Sequence, residues 1–242
     1  MKLHIAHLYP ELLNIYGDKG NITAFLKRCL WRNIQAEITE INPGDQIDPE
    51  LYDFYFIGGG QDIQQIAVAD ELQKQKEILH QAANNNAVFL AICGGYQLLG
   101  HYYKPHNGDK LLGISILDIY TVAGSTRYIG NVTINLNIPQ SNLQTLVGFE
   151  NHSGLTYLQG DTKSLGTIKV GNGNNGHDKT EGAVYKNVFG TYLHGSLLPK
   201  NPHFTDHLIT LALERKYGKI QLSDLSDDME LLAHKKAINK KY

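Results

Sequence analysis

Cys93 ends the apolar run of Ala91-Ile92-Cys93-Gly94-Gly95-Tyr96-Gln97-Leu98-Leu99-Gly100, and two glycines follow it at once. A turn from strand through nucleophile to helix tolerates little bulk beside the nucleophile, and Gly94 and Gly95 supply none. It would hold the sulfur at the carboxyl edge of a sheet, where α/β folds build their sites. The helix N-terminus that follows favours thiolate over thiol, lowering a free pKa of about 8.5. The other cysteine, Cys29, falls on the apolar stripe of a helix and reads as core packing. A cysteine nucleophile needs a proton carrier, usually histidine. Of the eleven histidines, His194 is best placed, because residues 188–193 read as a strand that delivers it to a loop at Gly195. His152, within Gly148-Phe149-Glu150-Asn151-His152-Ser153-Gly154, is its competitor and reads as a loop histidine ordering a turn. His101, His106 and His177 lie in polar stretches, no pair has metal-ligand spacing, and no metal site is expected.

Two glycine-rich stretches invite a nucleotide reading, and both fail it. Gly58-Gly59-Gly60-Gln61-Asp62-Ile63 lacks the third glycine of a dinucleotide fingerprint, and His177 follows Gly171–Gly176 where a phosphate loop needs Lys. Gly58-Gly59-Gly60 then either makes a tight turn or brings the Gly60 N–H beside that of Gly94 as an oxyanion hole facing Cys93.

The elements that must position these residues follow from periodicity. Residues 3–8, 34–41, 53–57 and 87–92 read as strands, the last a continuous apolar run typical of a sheet covered on both faces. Between them, Ile22, Phe25, Leu26, Cys29 and Leu30 form one helical stripe that Asp18 or Asn21 could cap, and residues 61–84 read as one helix. After Gly100 come short strand-like pieces at 111–117, 131–136, 146–149, 167–170 and 183–189, separated by Gly- and Asn-rich turns. Residues 171–176 read as an exposed loop, and helices at 203–217 and 227–239 close the chain. The pattern predicts one α/β domain over residues 1–242, with a mostly parallel sheet flanked by helices and further short strands in the second half.

Composition bounds the rest. Hydrophobic residues make up 42% of the 242, with 24 glycines besides, which excludes general disorder. Lys plus Arg total 22 against 24 Asp plus Glu, and a net charge of −2 argues against a nucleic-acid binder relying on a positive field. Two cysteines exclude a disulfide scaffold. Pro10 and Glu11 interrupt the stretch where a signal peptide needs its apolar core, and no apolar run approaches the ~18 residues of a membrane span, so the expected location is the cytoplasm.

The strand ending in Gly58-Gly59-Gly60, the strand ending in Cys93-Gly94-Gly95-Tyr96-Gln97, and a strand-borne His194 about a hundred residues later resemble a class I glutamine amidotransferase of flavodoxin-like fold. Cys93, Gly95 and Gln97 match that family's C-x-G-x-Q pattern. Within it the chain is similar to the cobyric-acid-synthase-like (CobB/CobQ) branch. More closely it resembles the GatD-type glutaminase subunits of lipid II isoglutaminyl synthases, in Tyr16-Gly17-Asp18-Lys19-Gly20-Asn21 and at residues 56–61, 93–97, 148–154 and 190–199. The resemblance implies Cys93 as nucleophile, His194 as acid and base, Gly60 and Gly94 as oxyanion donors, and Gln97 and His152 as supporting residues. Arg127 is the choice for gripping the substrate α-carboxylate, since a guanidinium offers paired hydrogen bonds that Lys cannot. It further implies L-glutamine as substrate, a MurT-type Mur-ligase-like partner that carries ATP and Mg, no cofactor in this chain, and lipid II reached through the partner. Many class I members read His-x-Glu, whereas His194-Gly195-Ser196 has no acid. Glu150 or a residue of the partner is the candidate to orient the imidazole. Two rivals are a hydrolase of this fold acting on another amide or peptide, and a non-catalytic binding module.

Overall fold

The computed structural model describes residues 1–14, 18–60, 62–138 and 143–239. Tyr16, Gly17 and Gln61, quoted above for the resemblance, lie outside the described residues.

Strands β1 (Lys2–Leu8), β2 (Gln35–Ile41), β3 (Phe54–Ile57), β4 (Val88–Ile92), β11 (Ala183–Tyr185) and β12 (Val188–Thr191) form one sheet in the order β11-β12-β4-β3-β1-β2. All its pairings are parallel except the edge hairpin β11–β12. Both faces are covered, so the strands read as unbroken apolar runs whose alternate residues enter two cores. Leu3, Ile5, Phe54, Phe56, Val88, Leu90 and Ile92 pack on the side of α1 (Lys19–Leu30) and α5 (Pro202–Tyr217). Ala6, Leu8, Tyr55, Ile57, Phe89 and Ala91 pack on the side of α2 (Asp62–Lys74), α3 (Lys76–Asn84) and α4 (Gly94–Leu99). Edge strand β2 is mostly exposed. Helix α6 (Asp228–Asn239) is anchored by its preceding residue, since Arg28, itself buried, bonds both Asp206 of α5 and Asp227.

A second sheet has the order β10-β9-β7-β5-β6, with β8 paired to β7. It contains β5 (Tyr102–Lys104), β6 (Leu111–Leu112), β7 (Ile119–Leu136), β8 (Thr145–Leu158), β9 (Gly166–Val170) and β10 (Thr180–Glu181). The expected pieces at 131–136 and 146–149 are the paired end segments of two longer strands, of 18 and 14 residues, whose register shifts at a bulge between Ala123 and Tyr128. His152 therefore stands in a strand rather than a loop, and Arg127 lies at the bulge.

Several other expectations change. The helix predicted over 61–84 breaks at Gln75, whose buried side-chain amide donates to the Asp45 carbonyl. The strand predicted over 111–117 shrinks to two residues, because Ile114, Ser115 and Leu117 give their N–H groups to Leu98, Gly100 and Leu99. The piece at 183–189 is two strands turning at Lys186, φ 50°. Leu30 leaves its stripe and is exposed, because eight residues on a helix advance about 80° past two full turns. Neither Asp18 nor Asn21 caps α1 with its side chain, since each accepts from a distant backbone N–H, that of Gly59 and that of Leu198. The loop at 171–176 is not exposed throughout. Asn174 and Asn175 are buried, where their amides substitute for backbone partners: Asn174 bonds both the N–H and the C=O of Gly182, and Asn175 donates to the Thr156 carbonyl.

Candidate active site

Parallel pairing of β12 with β4 sets Thr191 beside Ile92, so Cys93 and His194 leave the sheet from adjacent carboxyl ends. Cys93 has φ 50° and ψ −105°. This left-handed backbone is rarely adopted by a residue with a Cβ and is the strained elbow that the sequence predicts. It is held on both sides: the Cys93 N–H donates to the Thr191 carbonyl at 2.9 Å and its carbonyl accepts from the Gln97 N–H at 3.0 Å. The thiol is partly exposed. Cys29, by contrast, is buried, and burial pushes its thiol up to about 12, which removes it as a nucleophile.

His194 is fixed by a two-way backbone bridge to β8, giving its N–H to Phe149 at 2.8 Å and accepting that of Phe149 at 3.2 Å. The turn beyond it has Gly195 and Ser196 both at positive φ, with the Lys200 ammonium donating to the Gly195 carbonyl at 2.9 Å. Burial, with smaller electrostatic effects from His152 and Arg127, lowers the imidazole to about 3. His194 is therefore a neutral base at any physiological pH.

Gly59 joins the two. A Cβ there would stand 3.2 Å from His194 Cε1, 3.3 Å from Cys93 Cβ and 3.5 Å from Asp18 Oδ2, so the side chains of Cys93, His194 and Asp18 converge on one glycine. Asp18 is fully buried and accepts the Gly59 N–H at 2.7 Å. Burial raises its carboxyl to about 7 against the opposing effect of that bond. The Gly58 carbonyl accepts the Gly95 N–H at 3.1 Å, tying the glycine loop to the elbow. The nitrogen of Gly60 lies 3.1 Å from where a Cβ of Gly94 would stand. As the first residue of α4, Gly94 has an N–H without an intrahelical acceptor. The Gly60 nitrogen thus lies close to Gly94, the residue that follows Cys93.

Of the remaining candidates, Gln97, His152 and Glu150 occupy a buried polar layer behind the elbow, whereas Arg127 is exposed. Gln97 donates to the Tyr192 hydroxyl at 3.0 Å, and that hydroxyl contacts Thr156 Oγ1 at 2.7 Å. His152 stacks on the Tyr192 ring at 3.7 Å, its Nδ1 lies 2.9 Å from the Gly154 carbonyl, and burial lowers it to about 4. Glu150 accepts the N–H groups of Asn172 and Gly173, and its Oε2 stands 3.9 Å from His152 Nε2. Arg127 Nε donates to Asn151 Oδ1 at 2.7 Å. Sequence reasoning missed Asp18 as a member of the site, although the segment 16–21 had been singled out. It also missed Glu181, whose buried carboxyl, raised to about 7, accepts from Thr191 and Tyr192 on the approach to His194. Neither acid neighbours the nucleophile in the sequence. Among the described residues no group of three or more His, Cys, Asp or Glu could hold a metal ion.

Residues 4–202 match the CobB/CobQ-like glutamine amidotransferase domain. The chain belongs to that family. It is 42% identical over 230 residues to the lipid II isoglutaminyl synthase (glutamine-hydrolyzing) subunit GatD of Streptococcus pneumoniae, covering 93% of this chain and 86% of the relative. It is 41% identical over 239 residues to the subunit of the same name in Staphylococcus aureus, covering 99% and 96%. Among solved structures, the glutaminase domain of Trypanosoma brucei CTPS aligns with a TM-score of 0.52 over 90% of this chain and 98% of that one. At 11% identity this shows a shared fold. As a CobB/CobQ-like amidotransferase the chain is a glutamine-hydrolysing enzyme. No helix is long and apolar enough to cross a membrane among the described residues.

Proposed function

We propose that this amidotransferase is the glutaminase subunit of a two-subunit amide ligase that amidates the D-glutamate of the lipid II stem peptide. Its partner is a MurT-type, Mur-ligase-like subunit that carries the ATP and Mg and activates the acceptor carboxylate. The glutaminase itself needs no cofactor and works in the cytoplasm. The observation that carries the chemistry is the elbow: Cys93 held at positive φ, with a neutral His194 converging with it on Gly59.

Cys93 gives its proton to His194 and attacks the side-chain carbonyl of L-glutamine. The carbonyl π electrons move to oxygen, which the N–H groups of Gly60 and Gly94 bind. Collapse of the tetrahedral intermediate breaks the C–N bond, and His194 returns the proton to the departing nitrogen, releasing ammonia. Water, deprotonated by His194, then opens the thioester to glutamate and restores the thiol. Arg127 binds the substrate α-carboxylate. His152, Gln97 and Glu150 support the wall behind the nucleophile.

No acid follows His194 in His194-Gly195-Ser196, so partner binding completes its orientation, through a carboxylate supplied in trans or by ordering a loop already present. Glutamate release by the chain alone and with the ligase subunit tests this. A rise on adding the partner is expected, and full activity of the lone chain contradicts it. If the rise survives replacing the partner's carboxylate by its amide, loop ordering is the cause.

A further inference from the structure

Gln65, in the first turns of α2, is buried, with 4% of its surface exposed. Its Nε2 donates to the Gly60 carbonyl at 3.1 Å. The same nitrogen lies 2.8 Å from the position a Cβ of Gly94 would occupy, and Gly60 N lies 3.1 Å from that position. One carboxamide thus touches both backbone segments that carry the oxyanion donors. Its Oε1 is buried without a hydrogen-bond partner among the described residues. An orphaned buried acceptor is a cost that a methionine or leucine would not incur, so packing alone does not explain a glutamine here.

The backbone planes show what the side chain does. The peptide joining Gly58 to Gly59 is clamped at both ends, its carbonyl accepting from Gly95 and its N–H donating to Asp18. The peptide following Gly60 is clamped at its carbonyl by Gln65. Between them lies the one peptide that carries the Gly60 N–H. Glycine permits wide rotation about both of its backbone bonds, so an unclamped Gly60 would let this N–H swing away from its partner at Gly94. With both flanking planes fixed, this peptide keeps only rotation about the line joining its Cα atoms, and the Gln65 carboxamide, 2.8 Å from the same point beside Gly94 that the Gly60 nitrogen approaches to 3.1 Å, crowds that rotation before substrate arrives. Such preorganisation is what gives oxyanion donors their effect.

We propose that Gln65 is a positioning residue for the oxyanion hole, fixing the Gly60 peptide through its carboxamide donor. The proposal rests on the reading of Gly60 and Gly94 as the oxyanion donors. Gln65→Met keeps length and volume and removes the donor, while Gln65→Glu keeps the shape and sets a carboxylate oxygen against the Gly60 carbonyl.

The test compares wild-type and variant full-length chains, each with its ligase partner, in three measurements. These are L-glutamine kinetics, binding of the aldehyde analogue of glutamine, and thermal midpoint. The aldehyde adds the Cys93 thiol to form a hemithioacetal whose oxygen occupies the hole. Both variants are expected to lose about 10- to 100-fold in kcat, with KM within about threefold, and to bind the aldehyde more weakly by a similar factor. Their midpoints should stay near wild type, and Gln65→Glu should be no better than Gln65→Met. Unchanged kcat and aldehyde affinity in Gln65→Met would overturn the proposal. So would recovery in Gln65→Glu, or a loss that tracks a lowered midpoint, since either marks a packing role. Aldehyde binding is read without turnover. Failure of wild type to bind it at Cys93 would therefore count against the oxyanion reading itself, separately from any difference between variants.

Discussion

At Cys93 the backbone is held in a conformation that side-chain sterics oppose, and the hydrogen bonds of its own N–H and carbonyl maintain it. Beside it the buried imidazole of His194 is kept neutral, so it can take the thiol proton only as negative charge develops on sulfur. His194→Ala is expected to lower kcat by about 10²–10⁴, because nucleophile activation and leaving-group protonation both pass through that ring. His152→Ala should cost less, since His152 packs on Tyr192 and shapes the wall behind the site. Steady-state glutamate release ranks the two, and the reverse order would exchange their roles. Arg127→Lys retains the charge and loses the paired geometry. Glutamine KM is expected to rise roughly 10- to 100-fold, the worth of a hydrogen bond to a charged group, while kcat changes little. Unchanged kinetics over a range of glutamine concentrations would give Arg127 another role.

Two elements carry the site, the elbow and the glycine loop facing it, and they meet backbone to backbone where the Gly95 N–H donates to the Gly58 carbonyl. A Cβ at Gly94 would approach Gln65 Nε2 to 2.8 Å and Gly60 N to 3.1 Å. Gly94→Ala should therefore separate the oxyanion donors and lower kcat about 10²-fold or more, with a far smaller change in thermal midpoint. Circular dichroism melts beside kinetics would check it, and a variant that melts early but turns over normally when folded would contradict it. Further away, Arg28 is 3% exposed and bonds two carboxylates. Asp206 keeps its pair with Arg32 and both carboxylates are part exposed, so Arg28→Ala is expected to destabilise by about 1–3 kcal/mol, the usual cost of losing hydrogen bonds to charged groups, while sparing activity below the melt. Early proteolysis within α6 would mark the loss.

The parallel sheet, the elbow and the His194 strand are legible in the sequence because each is local: an apolar run, adjacent glycines, a strand ending in histidine. Asp18 and Gln65 were not legible as site members, since each reaches its glycine across the fold and neither belongs to a local motif. The loop at 171–176 misled because asparagine and glycine mark solvent turns and equally mark buried turns whose amides replace backbone partners. The long β7–β8 hairpin was hidden by polar residues at its bulge.

For the molecule as a whole, burial decides how stability follows pH. His7, His152 and His203 are each lowered to about 4 and His194 to about 3, chiefly by burial. These folded values lie below the unfolded 6.5, so their contribution is present above pH 6.5 and is lost as pH falls toward 4. Asp18 and Glu181, raised to about 7, act in the opposite sense and stabilise the fold increasingly as pH falls below 7. His207 and His234 are lowered by burial as well and Glu150 is raised by it, so six imidazoles oppose three carboxyls and stability should fall as pH drops from 6 to 5. Urea midpoints across that range measure the slope, and a flat profile would mean the histidines reach their charges without unfolding. A single thiol, that of Cys93, is expected to carry the conversion of L-glutamine to glutamate and ammonia. Glutamate release should be measured for wild type, Cys93→Ala and Cys29→Ala, each as the full chain with its ligase partner. A folded Cys93→Ala protein should show no turnover, and Cys29→Ala should turn over near the wild-type rate. Substantial glutamate release by folded Cys93→Ala would contradict this expectation.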